Sequence, residues 1–401
     1  MQAHKTTLAP ISAFFTQATD SNTKLWTWLA VFWFAVMLWF YGQIVFGALM
    51  GLVIFTIDPA FVEAMLVENI REGQSGSADA TRFKYGFKYT GRVIFAFSLI
   101  AFLLYMTSNS FSPKSRKAVF TIAAVSAFVS FSALIYLSMT SSNPDDMDML
   151  NDWMSKSALV YLSVLLMFPP MAIGLWLGVK YVQKRTILSL HTAHFKFRWG
   201  RMFFAILVVW AIATAVTYGS HATGLSPVKL VFDPAKFWMY LPVTLLFIPL
   251  QSATEEIALR GYLNQGLAQY IKNPWVVFVL TSAGFAALHL GNPEVAETVK
   301  RHSIFVALSG YFFFGLFACV LTYIDGGLET AIGMHTANNI FAAAIVGYDN
   351  SALPVPTVFK VGLNTGLDSL LLVISLSLVC LIMYLTRRPL IPAKQSLDTF
   401  N

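Results

Sequence analysis

Long apolar stretches separated by short polar ones recur along most of this 401-residue chain. A helix needs about 18 or more apolar residues to cross a ~30 Å hydrocarbon layer. Candidate runs lie roughly at 25–57, 86–108, 118–139, 158–182, 202–219, 237–256, 274–290, 304–323, 328–347 and 367–386. The pattern predicts an all-α fold, a polytopic transmembrane helical bundle of about ten spans, the first long enough to be tilted, kinked or partly re-entrant. Residues 1–23 are polar, and the run from Leu25 is too long for a signal peptide and lacks a cleavage-site pattern, so a retained anchor is expected. After it, Asp58 and Pro59 have the form of an N-cap and first helical residue, opening a short amphipathic surface helix.

Composition sharpens this picture. With 57% hydrophobic and 12% charged residues, most of the chain is span. The net charge of +7 resides in loops: Lys114, Arg116 and Lys117 in one, and Lys180, Lys184, Arg185, Lys196, Arg198 and Arg201 in another, neither holding an acid. Positive-inside topology accounts for these without a nucleic-acid partner and places both loops in the cytoplasm. Residues 140–157, with Asp145, Asp146, Asp148 and Asp152, belong outside. By parity the turns at Lys272 and Asp325–Gly327 and both termini are cytoplasmic. Cys319 and Cys380 fall within apolar runs, which makes a disulfide framework or cysteine metal cluster improbable. The division expected is an N-terminal transmembrane region of unassigned role (1–230), a chemical core (231–350), and a last helix with a cytoplasmic tail (351–401).

Ionisable residues at membrane depth are costly and face a cavity or a partner, so they are where function is sought. Five of the seven histidines, His4, His191, His194, His221 and His302, fall in predicted loops; His289 and His335 fall within spans, as do Glu255 and Glu256. Glu255 lies 17 residues before the turn residue Lys272 and His289 lies 17 after it, so a helical hairpin sets them level. At 1.5 Å per residue that level is roughly 25 Å from the tip. His335, 8 residues beyond Gly327, meets them if the polar 260–273 tip projects further or lines water, which puts the cluster in the cytoplasmic half of the membrane. Arg260, at i+4 from Glu256, can pair with that acid and leave Glu255 free to act as a general base. Asn339 shares a helix face with His335. A packing salt-bridge cluster would need the same charges without the two level histidines.

Three motifs run through these residues: Glu255-Glu256-Ile-Ala-Leu-Arg260, Phe285-Ala-Ala-Leu-His289 and His335-Thr-Ala-Asn-Asn339. In this the chain resembles the CPBP intramembrane proteases, which include the type II CAAX prenyl endopeptidases and the bacterial Abi (bacteriocin-immunity) proteins. The resemblance covers roughly residues 237–347. It implies an integral-membrane endopeptidase in which Glu255 and His289 activate a water, His335 and Asn339 stabilise the oxyanion, and Glu256, Arg260 and Phe285 support them. It also implies membrane lipids and a hydrophobic or lipidated peptide as partners, and a bacterial inner-membrane location. A metal-free site is favoured by Asn339 and by the lack of a His-Glu-x-x-His motif; a zinc held by Glu255, His289 and His335 is the other form the site can take. The remaining readings are a proton- or cation-coupled transporter using the same Glu/His cluster and a non-catalytic membrane scaffold. The sequence does not fix an oligomeric state.

Overall fold

The computed structural model describes residues 13–18, 24–64 and 144–387. Among the described residues six helices are long and apolar enough to cross a membrane: α1 (Leu25–Ile57), α2 (Ala158–Tyr181), α3 (Trp199–Ala222), α4 (Pro234–Ala268), α7 (Ile304–Asp325) and α9 (Thr365–Leu385). A seventh span forms if α5 (Pro274–Leu288) and α6 (Pro293–Val299), which meet at 94°, are taken together. The protein is an integral membrane helical bundle. The spans expected at 86–108 and 118–139 lie outside the described residues, as does most of the helix expected after Asp58. Asp58 does cap its first turn, accepting from Phe61 N at 3.0 Å.

The 328–347 stretch is not a lipid-facing span. It divides into α8 (Glu329–Ile340) and a π-helical turn, Phe341–Ile345, and every residue from Glu329 to Ala337 is buried. Its apolar residues face protein on all sides, which periodicity alone cannot distinguish from a span. The polar tip after α4's acidic pair is likewise not a water-lined projection. Arg260, Asn264 and Gln265 are buried, and Gln265 Nε2 donates to Ser189 O (2.8 Å) and Phe14 O (3.2 Å).

Small residues bring the helices close. In α2 the sequence Gly174-Leu-Trp-Leu-Gly178 presents two glycines to α1, and a Cβ on Gly174 would sit 2.6 Å from the Ala35 Cα. Such small-x-x-x-small pairs admit the backbone contact that replaces hydrophobic driving force in lipid. Gly333 of α8 similarly abuts the Met202 carbonyl of α3.

At one end of the bundle the 182–198 segment pairs with the α7–α8 turn: Ala193 N donates to Gly326 O (2.9 Å) and Leu328 N to His191 O (2.7 Å). Gly326 there takes φ +70°, the left-handed cap that suits glycine. Arg198 bonds both Asp325 and Glu329 at 2.9 Å, and Arg201 Nε reaches Asp325 Oδ1 at 3.0 Å. His194, buried beside them, is held below the usual imidazole range first by burial and then by the Arg198 charge. The opposite end is built from residues 290–303 and 346–364 and carries a small sheet that the sequence pattern does not reveal. In it β3 (Phe359–Val361) pairs parallel with β2 (Val346–Tyr348) and antiparallel with β1 (Lys229–Leu230).

Candidate active site

The acidic pair ends the first α-helical part of α4, the next seven residues, Ile257–Leu263, are π-helical, and Asn264–Ala268 returns to α-helix. Such wide turns are rare and gather at functional sites. Within this one, Arg260 Nη1 donates to Glu256 Oε1 at 3.1 Å, both side chains being fully buried. The guanidinium also lies over the Phe285 ring, 4.6 Å from its centroid, a cation–π contact strengthened by the lack of water. Phe285 thereby ties α5 to the Glu256–Arg260 pair.

His335 bridges the two acids. Its Nδ1 lies 2.7 Å from Glu256 Oε1 and its Nε2 lies 3.8 Å from Glu255 Oε2. Because Glu256 also takes Arg260, it is the structural acid that the i+4 spacing selects. Glu255 is the less committed of the two: Oε1 accepts from Gln251 Nε2, while Oε2 is buried with no hydrogen-bond partner. Gln251 in turn accepts from Asn339 Nδ2 at 3.1 Å, so one amide joins Glu255 to Asn339. None of the motifs includes Gln251, although its position four residues before Glu255 on the same helix face could have found it.

His289 stands apart from this network. It is the C-cap of α5, and its Nδ1 donates to Phe285 O at 2.8 Å. A carbonyl can only accept, so Nδ1 carries the proton and Nε2 is left as the ring's other polar atom. The Phe285 ring touches both imidazoles, with centroids 4.5 Å from His289 and 6.0 Å from His335. On its other face His289 stacks on Tyr311 at 4.1 Å. Tyr311 donates to Glu294, a buried acid of α6 that the sequence reading also passed over.

A cavity of about 330 Å³ is lined by Gln251, Phe285, His289, Glu294, His335 and Asn339 among others. His335 packs on Phe314, midway along α7, which sets the cluster at mid-bundle. From there the cavity extends past Tyr348, Leu363 and Thr365 toward the end opposite the basic loops.

Among the described residues no three His, Cys, Asp or Glu side chains converge so as to ligate one ion. Glu256 engages His335 Nδ1, and His289 lies across Phe285, so Glu255, His289 and His335 as placed do not form a ligand set for zinc. The two cysteines are free.

Residues 234–341 match the family described as Type II CAAX prenyl endopeptidase Rce1-like. The likeness read from the three motifs is thus met over the segment that contains all of them. The chain is also 28% identical over 192 residues to a Bacillus subtilis (strain 168) protein described as uncharacterized protein YyaK. The aligned part is 47% of this chain and 62% of that relative's length. No solved structure matches.

Proposed function

We propose that this protein is a membrane-embedded endopeptidase in which Glu255 activates a water for attack on a peptide carbonyl. One observation carries the reading: Glu255 Oε2 is buried, has no hydrogen-bond partner, and faces across 3.8 Å the Nε2 of His335, whose ring lines the cavity. That gap is too long for a direct hydrogen bond and fits a bridging water. The Rce1-like match supports the same chemistry at family level.

The contacts support these residue roles. Glu255 takes the water's proton, and His289, with Nδ1 committed to Phe285 O, offers Nε2 to the same space. His335 and Asn339 hold the developing oxyanion, a contribution of about 3–4 kcal/mol for one good donor. We take the site to work without a metal. The substrate is a hydrophobic or lipid-anchored peptide, and the membrane is the bacterial inner membrane. The basic end, with Lys180, Lys184, Arg185, Lys196 and Lys272, faces the cytoplasm.

The deciding experiment compares peptide hydrolysis by the purified wild type and by Glu255→Gln, with product termini identified by mass spectrometry. A loss of at least about 100-fold, the lower range for a general base, is expected with the melting midpoint unchanged. Equal hydrolysis by the two proteins refutes the role.

A further inference from the structure

The cavity wall holds a carboxylate, Glu294, that the proposed chemistry does not use. Glu294 is only 7% exposed. Its Oε1 accepts from Tyr311 Oη and from Asn292 Nδ2, the latter at 3.1 Å, and Asn292 also donates to Tyr311 Oη at 2.9 Å. These contacts fix the side chain with Oε1 saturated. Oε2 is buried and makes no hydrogen bond, although the Tyr348 hydroxyl lies near this carboxylate, and the side chain forms part of the cavity wall. Asp368 lines the same space, its Oδ2 accepting from Asn364 N at 2.9 Å. Among the described lining residues there is no lysine or arginine.

A carboxylate oxygen enclosed at this depth without a hydrogen bond is costly, and acids inside membranes are ordinarily matched by a cation or a donor. If Glu294 served only to press Tyr311 onto His289, a glutamine would do as well, since Oε1 makes every contact that Tyr311 and Asn292 require. The unused oxygen is left over, and a ligand can supply the donor it lacks.

We infer that Glu294 forms a specificity subsite for a positively charged substrate group, the ammonium or guanidinium of a lysine or arginine beside the scissile bond. The placement follows from Tyr311, which touches Glu294 with its hydroxyl and His289 with its ring, so the subsite is one side chain away from the reacting atoms. A peptide ending in a free carboxylate close to the cut meets two acids here and no cation among the described residues. The preferred substrate is therefore a cationic segment within a longer chain. This inference rests on the endopeptidase reading for its location but not for its binding chemistry.

The test uses the full chain in detergent micelles and dodecanoyl-anchored peptides of one sequence, differing only by lysine, norleucine or glutamate at one of four central positions. Binding is read by thermophoresis on the Glu255→Gln protein, and hydrolysis by mass spectrometry on the wild type. At one position lysine is expected to bind at least about tenfold tighter than norleucine, the scale of one charge-assisted hydrogen bond, and glutamate weakest. Adding Glu294→Gln should bring the lysine-to-norleucine ratio within about twofold of unity, while Asp368→Asn should preserve it. A wild-type scan with no lysine preference, which needs no Glu294 variant and so is immune to misfolding, overturns the subsite. A preference that survives Glu294→Gln does so too. Lysine-selective binding without hydrolysis of any peptide leaves the subsite standing and removes the endopeptidase reading.

Discussion

Glu256 Oε1 sits 2.7 Å from His335 Nδ1 and so orients the imidazole from below, while the neighbouring Glu255 meets the same ring from the other side at 3.8 Å. Two adjacent residues of one helix thus address the two nitrogens of one histidine. Their side chains point about 100° apart on an α-helix, and the ring spans the gap between them. Consecutive glutamates are what this arrangement calls for.

Removing the structural acid should therefore differ from removing the free one. Glu256→Gln leaves Arg260 buried without its ion pair, a loss of about 3–5 kcal/mol. The expected result is a lower melting midpoint and poor recovery from the membrane, measured by thermal unfolding in detergent, in contrast to a stable Glu255→Gln.

Gln251 links Glu255 to Asn339 without carrying chemistry itself. Gln251→Leu frees both groups, and small misplacements of reacting groups cost up to about 100-fold. A fall in kcat of roughly 10- to 100-fold is expected, with KM changed less, from steady-state peptide hydrolysis. A proportional rise in KM with kcat intact would contradict the positioning role.

Gly333→Ala tests the packing of the helix that bears His335. The added methyl meets Met202 O and lies 3.0 Å from the Ala205 Cβ, so α8 must move off α3. Overpacking of this kind costs about 1–3 kcal/mol. Activity should fall although no site residue is changed, with the melting midpoint reporting the strain.

The basic end should respond to acid. Burial and Arg198 depress the His194 pKa in the folded protein, whereas an unfolded histidine titrates near ~6.5. As pH falls through that value the unfolded chain takes up the proton first, so stability is lost until the folded pKa is reached. Melting midpoints taken from pH 7.5 to 5.5 should drop less for His194→Gln than for wild type; equal slopes would assign the acid loss elsewhere.

Orientation is testable with single cysteines in a variant lacking Cys319 and Cys380. Lys196 and Arg301, both exposed, lie at opposite ends of the bundle. A membrane-impermeant maleimide on intact cells should label Arg301→Cys and spare Lys196→Cys, placing the cavity's extension on the outer face. The reverse pattern would place it inside.

Much of the site was legible because its parts repeat at helical spacing: Glu256 with Arg260, and His335 with Asn339, each pair at i+4. Gln251 obeys the same rule but carries no charge to draw attention in an apolar run. Glu294 and Tyr311 belong to α6 and α7 and meet His289 only through the 94° break after α5, a tertiary event that leaves no periodic trace. The hairpin count placed Glu255 and His289 level, yet the π-helical turn at 257–263 and the buried course of α8 set the depth of His335, and neither shows in apolar run length. The three-stranded sheet rests on strands of two or three residues, too short for any alternation to register.

The position of His289 at the end of α5 bears on how its variants are interpreted. One nitrogen closes the helix by satisfying the Phe285 carbonyl, and the side chain also lines the cavity. An alanine at this position silences both tasks at once, so an inactive His289→Ala protein is an ambiguous witness. Asparagine, whose short amide can still donate to that carbonyl, separates the two: a folded but inactive His289→Asn would isolate the chemical role from the architectural one.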